Sequence, residues 1–376
     1  MNILIAPNAF KNSINAQAVA ETIAQGLTLS KLNCTCRLFP VGDGGDGTGS
    51  LLIKHLGGKI VNAPVHDALG RKITAPFGLI DNGQTAVIEM ADASGMRLLK
   101  AAELNPMITN TSGTGELMKQ ALDKGVNKII IGMGGSATVD GGAGMLAALG
   151  IRFLNADGDL LNPVPAELGQ LAIIDVSGLD KRVLNCSIII LCDVDNKLLG
   201  DNGAAAVFGP QKGATPHDIV KLDALLTKFA AITLKQTGID IASAEHSGTA
   251  GGAAATAYAF LNAALVSGAS HFLKLTGFDE ALQNADMVFT GEGSIDEQTL
   301  QGKAPAAVAA LAKQKGLPVI GLAGKVPLLH SKELNEYFDV LLPIGNEPAA
   351  LGDALKNTHD NLVRTSREIG NLLAIS

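Results

Sequence analysis

The chain has 376 residues, more than one hydrophobic core usually supports, so the sequence predicts two domains. Hydrophobic residues make up 47% and charged residues 17%, which is typical of a compact enzyme with a large core. The net charge of −7, the lack of Trp and the 3% of aromatic residues argue against a nucleic-acid-binding surface, which is basic and often aromatic.

The sequence has no apolar run of about 18 residues that could span a membrane, and no cationic segment with an apolar core opens the chain. The four cysteines lack the spacing of metal ligands and the pattern of a secreted mini-protein. We therefore expect a soluble, cytoplasmic protein that binds neither nucleic acid nor a membrane.

The first elements alternate as strand, loop and helix. Residues 2–6 form an apolar run that predicts a strand, and apolar residues recur at helical spacing over 16–27, behind Asn15 as a candidate N-cap. A second predicted strand, 34–41, ends in the Gly-rich turn 42–48 and is followed by a short helical pattern. The start of the chain therefore reads as two βα units.

The pattern changes after about residue 63. Residues 72–80 and 84–90 alternate in polarity on either side of Asp81-Asn82-Gly83, which is a strong hairpin signal. An antiparallel hairpin interrupts the βα rhythm, so we expect the chain to enter another domain here.

Beyond the hairpin, strands and helices alternate again. The predicted strands are 129–133, 188–194, 287–290, 318–322 and 340–343, and the predicted helices are 115–124, 143–149, 217–235, 253–265, 305–315 and 348–370. The sequence therefore predicts an α/β protein with two α/β domains. One is a discontinuous Rossmann-like domain of residues 1–63 and 271–376, and the other is an inserted α/β domain of residues 64–270 that contains the hairpin.

The most informative stretch is G-M-G-G-S-A-T-V-D-G-G, residues 132–142, between a predicted strand and a predicted helix. Unpaired amides in such a turn, with the positive end of a helix, can cradle a phosphate or a carboxylate. The alternative is a tight turn that merely needs small residues. A Walker phosphate loop and the protein-kinase motifs are missing, and no G-x-G-x-x-G dinucleotide fingerprint follows the first predicted strand.

Charged side chains recur in loops after predicted strands, where open α/β sheets bind their ligands. Lys11 and Ser13 follow the first strand. Asp43 and Asp46 lie in the second loop, where paired carboxylates could hold Mg²⁺ or act as a base and its orienting group, although D-G-G-D-G is also good turn chemistry.

Hydroxyl groups accompany the Gly-rich turn. Ser112 and Thr114, with Ser136 and Thr138, could bind a small carboxylate or phosphates, or Thr114 could simply cap a helix. Asp193 leaves the end of an apolar strand, which favours a ligand-facing role, and Lys212 adds a cation.

The last polar loop combines three kinds of group. Glu292, Ser294 and Asp296 follow a predicted strand, and Lys303 precedes Pro305 at a helix start. Phosphoryl transfer needs metal ligation, a base for the accepting hydroxyl and positive charge for the phosphate oxygens. This loop carries residues suited to each need.

Read together, these stretches resemble the bacterial class I glycerate kinase family, from the first strand to about residue 325. The matching pieces are A-P-N-A-F-K-N-S (6–13), V-G-D-G-G-D-G-T (41–48), S-G-T-G-E-L (112–117), G-M-G-G-S-A-T-V-D-G-G-A-G (132–144), C-D-V-D-N (192–196), F-G-P-Q-K-G-A (208–214) and T-G-E-G-S-I-D-E-Q-T (290–299) with G-K-A-P. The family more often has A-P-D-S-F-K-G-S, D-G-G-E-G and C-D-V-x-N-P. Asn8, Ala9, Asn12, Asp46 and Lys197 are therefore departures.

The resemblance implies ATP-dependent phosphorylation of D-glycerate with Mg²⁺, usually at the 2-hydroxyl, in a cleft between two α/β domains. The partners would be D-glycerate and ATP. Two alternatives remain open: another small-molecule hydroxy-acid kinase or phosphatase that uses the same loops, and a non-enzymatic nucleotide or metabolite sensor.

We assign roles on this basis. Asp193 would orient or deprotonate the substrate hydroxyl, and Lys11 and Lys303 would neutralise charge. The predicted substrate- or phosphate-binding residues are Ser13, Ser112, Thr114, Gly134, Gly135, Ser136, Thr138, Lys212 and Ser294. The predicted metal ligands are Asp43, Glu292 and Asp296.

Overall fold

The computed structural model describes residues 1–300, 302–329 and 331–375. The strands are β1 (Asn2–Ile5), β2 (Thr35–Leu38), β3 (Lys59–His66), β4 (Lys72–Ile80), β5 (Thr85–Glu89), β6 (Lys128–Gly132), β7 (Arg152–Leu154), β8 (Ile173–Asp175), β9 (Ser187–Cys192), β10 (Ala264–Ser267), β11 (Met287–Ser294), β12 (Val319–Lys325) and β13 (Val340–Pro343).

The α-helices are α1 (Ala16–Thr28), α2 (Thr48–His55), α3 (Ala91–Ser94), α4 (Ser112–Asp123), α5 (Ala143–Ala148), α6 (Pro165–Leu168), α7 (Ala204–Phe208), α8 (Pro216–Thr237), α9 (Ala253–Leu261), α10 (Gly268–Leu275), α11 (Phe278–Leu282), α12 (Ala304–Gln314), α13 (Lys332–Tyr337), α14 (Leu351–Lys356) and α15 (Thr358–Leu373). None of the described helices is long and apolar enough to cross a membrane.

The first compact unit comprises Met1–Asp43 and Ala269–Ser376. Its sheet is parallel throughout, in the order β13-β12-β11-β1-β2. Numbered within the unit, this order is 2-1-3-4-5, the flavodoxin-like form of a doubly wound sheet. The predicted α/β fold is confirmed, although the strand order of this unit is not the Rossmann order 3-2-1-4-5-6. Such sheets bind ligands outside the carboxyl ends of the strands where the order reverses, here between β1 and β11.

Local sequence explains the first helix of this unit. The Asn15 side chain accepts a hydrogen bond of 2.9 Å from the Ala18 amide, which confirms it as the N-cap of α1. Val19, Ile23 and Leu27 recur at helical spacing and are buried. A Cβ at Gly26 would lie 2.5 Å from the Val363 carbonyl, so the glycine lets α1 pack closely against α15.

The second compact unit is Gly44–Gly268. Its main sheet has the order β10-β9-β6-β5-β4-β3, in which β5, β6, β9 and β10 are parallel and β4 is antiparallel to both neighbours. The three central isoleucines of β6, Ile129 to Ile131, are all buried, as expected of a parallel strand covered on both faces. The predicted hairpin is present as β4 and β5.

The compact units differ from the predicted domain ranges mainly at the first boundary. Residues 44–63, which we assigned to the first domain, lie in the second unit. Helix α2 packs on β4, β5 and β6, with Ile53 filling the space beside Gly78, and β3 pairs with β4 along its whole length. Strand β3 carries Pro64 and is an edge strand, where proline is tolerated, so its sequence gives a weak strand signal.

Two long predicted helices end differently in the structure. The 253–265 helix stops at Leu261 because Asn262 adopts a left-handed φ of 52°, and the chain continues as β10. The 348–370 helix is two helices, α14 and α15, that meet at Asn357. Periodicity alone did not reveal either interruption.

Candidate active site

In the first unit, the loop after β1 runs beside the second half of β11. The Asn8 amide donates to the Gly291 carbonyl at 2.8 Å, and the Thr290 hydroxyl donates to the Ala6 carbonyl at 2.8 Å. These bonds hold the residues after β1 beside Glu292, at the point where the strand order reverses. The sequence prediction that polar loops meet at this edge is consistent with the strand order.

Asp43 is buried and bonded to Asn8. The Asn8 Nδ2 group donates to Asp43 Oδ2 at 2.7 Å, and Asn8 Oδ1 accepts from the Ala9 amide at 2.8 Å. Asn8 was not among the predicted site residues, since it was noted only as a departure from the family pattern. Its position in the loop after the first predicted strand, three residues before Lys11, was the available signal.

Glu292 is the most perturbed carboxyl group of this unit. It is only 8% exposed, and its Oε1 atom accepts a hydrogen bond of 2.8 Å from the Thr299 hydroxyl. Burial raises its pKa to about 7, and the negative charge of Asp43 adds to this shift. The positive charges of Lys303 and Lys11 oppose it, so four charged groups interact here. A strongly perturbed carboxyl group among such partners is typical of a functional site.

The 294–299 turn supports Glu292. Asp296 Oδ1 accepts from the Gln298 amide at 3.0 Å, and the Asp296 amide donates to the Thr299 hydroxyl at 3.2 Å. Ser294 Oγ lies 3.4 Å from Asp296 Oδ2. These contacts fix Thr299, a residue that the sequence prediction missed. The predicted metal role of Asp296 and binding role of Ser294 stay predictions.

Lys303 occupies the N-cap position of α12, two residues before Pro305 in the first turn. A helix N-terminus carries unpaired amides and partial positive charge, which favours an anion. Lys11 is exposed in the loop after β1. The hydroxyl of Ser13 donates a hydrogen bond of 2.6 Å to the Leu355 carbonyl of α14. The predicted binding role of Ser13 stays a prediction.

In the second unit, the turn after β6 packs against the loop that leads into α2. The Gly134 amide donates to the Gly44 carbonyl at 3.1 Å, and a Cβ at Gly134 would lie 2.3 Å from the Gly45 Cα atom. Gly135 is half-buried with a φ of 74°. Gly134 therefore serves close packing, whereas Gly135 remains accessible.

Several polar groups of this turn lack a hydrogen-bond partner within the described part of the chain. Within the described ranges, the amides of Gly135 and Ser136 have no hydrogen-bond acceptor, and the buried hydroxyl of Thr138 has no partner. The buried hydroxyl of Ser247, in a different segment, also has no partner among the described residues. Buried polar groups are normally paired, so exceptions point to a ligand or water. Ser247 was not predicted as a site residue.

Lys212 lies behind the turn. It is 2% exposed, and its Nζ atom donates to Ser136 Oγ at 2.8 Å and to the Thr138 carbonyl at 2.7 Å. Burial lowers the pKa of this ammonium group to about 7, while the charges of Asp140 and Asp193 work to raise it.

Asp140 organises the end of the same motif. It is fully buried and accepts hydrogen bonds from the Thr111 amide and hydroxyl and from the amides of Gly142 and Gly144, at 2.8–3.1 Å. Burial raises its pKa, and these donors oppose the shift. Asp140 thus joins the motif to the start of α4.

The two predicted hydroxyls of α4 lie in its first turn. Thr114 is buried and bonds the Ser94 hydroxyl at 2.9 Å, while Ser112 is half-buried. The N-cap position belongs to Thr111, so the alternative reading of Thr114 as a helix cap is wrong.

Asp193 follows β9 directly and is half-buried. The loop beyond it is held by a second segment. His246 Nδ1 lies 2.9 Å from the Val194 carbonyl and 3.0 Å from Asp195 Oδ1, and the Gly248 amide donates to Asn196 at 2.8 Å. The segment that follows Asp193 is therefore fixed by these contacts.

Asp46 and Glu89 form a separate polar group. Asp46 pairs with Arg97 at 2.9 Å, and Glu89 accepts from the Gly47 and Ser50 amides at 3.1 Å each, at the start of α2. Burial raises the pKa of Glu89, and nearby carboxylates add to the shift. The sequence did not single out Glu89, although it lies one residue before the end of a predicted strand. Asp46 is bonded to Arg97 and Asp43 to Asn8, and a joint role of the two aspartates stays a prediction.

Comparisons with known proteins agree on one family. Residues 3–374 match the model of the "Glycerate kinase family". The chain is 44% identical to a glycerate kinase of Bacillus subtilis (strain 168), covering 98% of this chain and 97% of the relative. It is 42% identical to a glycerate 2-kinase of Escherichia coli (strain K12), covering 100% and 98%.

A crystal structure from Salmonella typhimurium LT2, described as a "putative glycerate kinase 2", matches with a TM-score of 0.81 and 42% identity, covering 99% of this chain and 98% of the other. The motif resemblance, the fold and the full-length similarity agree. The chain is a kinase that belongs to the glycerate kinase family.

Proposed function

We propose that this protein transfers the γ-phosphoryl group of ATP to the 2-hydroxyl of D-glycerate with the help of Mg²⁺, giving 2-phosphoglycerate. The main supporting observation is a group of interacting charges at the strand-order reversal of the first unit. The charges of Lys11, Lys303 and Asp43 all act on the buried carboxyl group of Glu292. Full-length similarity to a protein named glycerate 2-kinase supports the choice of substrate and hydroxyl.

The lysines would bind the phosphates. Lys303 stands at the N-cap of α12, where free amides and the helix dipole also favour an anion. Lys11 comes from the neighbouring loop. Positive charge on two sides would stabilise the charge that develops on the transferring phosphoryl group.

The carboxylates suit Mg²⁺. Among the described residues, no group of three or more His, Cys, Asp or Glu is arranged to hold a metal by itself. Mg²⁺ commonly uses only one or two carboxylates together with substrate phosphates and water. Asp43 and Glu292 offer such a pair of oxygen donors, close enough for the charge of one to raise the pKa of the other. When bound, Mg²⁺ would neutralise charge on the phosphate oxygens.

The turn after β6 would receive the substrate carboxylate. Free amides at Gly135 and Ser136 are suitable donors, and Lys212 supplies positive charge behind them. A carboxylate bound there would distinguish glycerate from uncharged polyols such as glycerol.

Asp193 would serve as the base. As the 2-hydroxyl oxygen forms its bond to phosphorus and the bond from phosphorus to the ADP oxygen breaks, the hydroxyl proton would pass to the Asp193 carboxylate. The contacts of His246 and Gly248 hold the adjoining loop, which supports a fixed orientation for this side chain.

A substrate panel tests the proposal. ADP release is measured with MgATP and D-glycerate, L-glycerate, glycerol or 3-hydroxypropionate, which lacks the 2-hydroxyl. We expect efficient turnover with D-glycerate only. Efficient turnover of 3-hydroxypropionate would exclude the 2-hydroxyl as the required acceptor, and turnover of another compound without D-glycerate activity would refute the substrate.

A further inference from the structure

Lys212 is a buried lysine in a hydrogen-bonded, closely packed segment. It ends the 3-10 turn Pro210–Lys212, whose Lys212 amide donates to Gly209 at 3.0 Å. The next residue, Gly213, has a φ of 93°, and a Cβ there would lie 2.2 Å from the Leu104 carbonyl. The backbone directly after the lysine is thus closely packed, and the backbone before it is held in a hydrogen-bonded turn.

The contacts of the amine suit a neutral as well as a charged state. A neutral amine has two N–H groups, and the structure supplies two acceptors, Ser136 Oγ and the Thr138 carbonyl. A third proton adds a positive charge in a site from which water is excluded. The charged groups that face Lys212 are Asp140, from the turn after β6, and Asp193, from the loop after β9.

The Ser136 hydroxyl connects this lysine to the accessible side of the turn. Because the hydroxyl accepts from Lys212, its own proton is available to donate elsewhere. The free amides of Gly135 and Ser136 belong to the same turn. An anion bound there would receive donors from the turn on one side and feel the Lys212 charge behind it.

We propose that Lys212 is a proton-linked positioning residue: it takes up a proton when the carboxylate of the substrate binds the turn at Gly135 and Ser136. This inference rests on the proposed function. Lys212 would not touch the bound carboxylate itself but would act on it through the Ser136 hydroxyl.

The direction of the pH effect follows from charge. A bound carboxylate favours the ammonium form, so it raises the Lys212 pKa above the value of about 7 in the free protein. Substrate affinity is therefore constant below that pH and falls as pH rises, by up to tenfold per pH unit, until the pKa of the complex is reached. A nearby opposite charge typically moves a pKa by about one to three units, so the total loss is about tenfold to a thousandfold.

The test compares wild type with Lys212→Arg and Lys212→Met. D-Glycerate binding is followed by calorimetry without nucleotide or Mg²⁺, between pH 6 and 9.5, in two buffers of different ionisation enthalpy. For a pKa shift of one to three units from about 7, wild type should take up about 0.4 to 0.9 proton at pH 8. Arginine stays charged, so Lys212→Arg should show no uptake and no loss of affinity with pH, and Lys212→Met should bind weakly at every pH.

Two controls separate this idea from others. Lys228, an exposed lysine of the same unit that donates to the Gly169 carbonyl at 3.0 Å, gives the matched variant Lys228→Met, which should keep the wild-type profile. Glu292 also has a pKa near 7, so Glu292→Gln should retain the proton uptake if Lys212 is its source.

Absence of proton uptake in wild type, or uptake that persists in Lys212→Arg or vanishes in Glu292→Gln, would overturn the inference. If both Lys212 variants fail to fold, wild type and Glu292→Gln still decide it. Turnover of D-glycerate at pH 6.5 is measured in parallel. Normal turnover without proton uptake would refute the role of Lys212 alone, whereas no turnover would refute the proposed function.

Discussion

Replacing Glu292 by glutamine should stabilise the protein at alkaline pH while it abolishes activity. Glutamine has nearly the same shape and can still accept the hydrogen bond from Thr299 through its amide oxygen. It carries no charge, so the burial that raises the pKa of the glutamate to about 7 no longer opposes folding. The ionised Glu292 carboxylate therefore destabilises the folded protein. The proposed function requires the carboxylate in spite of this cost.

The magnitude follows from the pKa shift. In the unfolded chain the carboxyl group titrates at its model value of 4.5, against about 7 in the folded protein. Above pH 7 the folded protein must hold an ionised carboxylate in an unfavourable site, at a cost of about 3 kcal/mol. Because the folded pKa is the raised one, this penalty is nearly absent below pH 4.5 and grows as pH rises; at pH 5 it is about 1 kcal/mol.

Urea unfolding of wild type and Glu292→Gln at pH 5 and pH 8 measures this difference. The variant should have a higher midpoint at pH 8, and the gap should shrink at pH 5. Glu297→Gln is the matched control, since Glu297 is an exposed glutamate three residues after the end of β11. This control variant should change neither midpoint. Equal midpoints for wild type and Glu292→Gln at pH 8, or a gap that does not depend on pH, would refute the reasoning.

Further predictions concern the other groups of the site. Asp193→Asn should lower kcat by about 10²- to 10⁴-fold while ATP binding stays near normal, because an amide cannot accept the hydroxyl proton; near-wild-type turnover of the folded variant would remove Asp193 from the mechanism. Lys303→Ala should raise the KM for ATP and lower kcat together, as steady-state kinetics can show, whereas a change in neither would place this lysine outside the phosphate site. Gly134→Ala should reduce both thermal stability and activity, since its Cβ would lie 2.3 Å from facing backbone, whereas Gly169→Ala, with open space around it, should do neither.

The sequence predicted an α/β fold because its strands are short apolar runs that alternate with helical patterns. Periodicity identifies such elements, and Asn15 and the Asp81–Gly83 turn have local signals. The order of the strands could not be read in this way, since it depends on which strands pair. Edge strand β3 and strand β10 were missed because one contains Pro64 and the other follows an Ala-rich helix without a clear break.

The site shows a similar division. Strand-end position alone indicated Asp43, Glu292 and Asp193, since parallel strands present their carboxyl ends at one edge. Burial depends on the three-dimensional packing, so the sequence could not show that Lys212 is enclosed or that Glu292 titrates near neutral pH.

Contacts between distant residues were also beyond the sequence. The hydrogen bond from Asn8 to Asp43 joins residues 35 positions apart, and no local pattern announces it.

The most direct test of the proposed activity is phosphorus NMR of the product made from D-glycerate and MgATP. Without proton decoupling, a phosphate on the 2-hydroxyl couples to the single hydrogen on C2 and gives a doublet, whereas a phosphate on the 3-hydroxyl couples to two hydrogens on C3 and gives a triplet. We expect the doublet of 2-phosphoglycerate together with the signals of ADP. A triplet would contradict the assigned acceptor, and ADP with only inorganic phosphate would contradict transfer to glycerate.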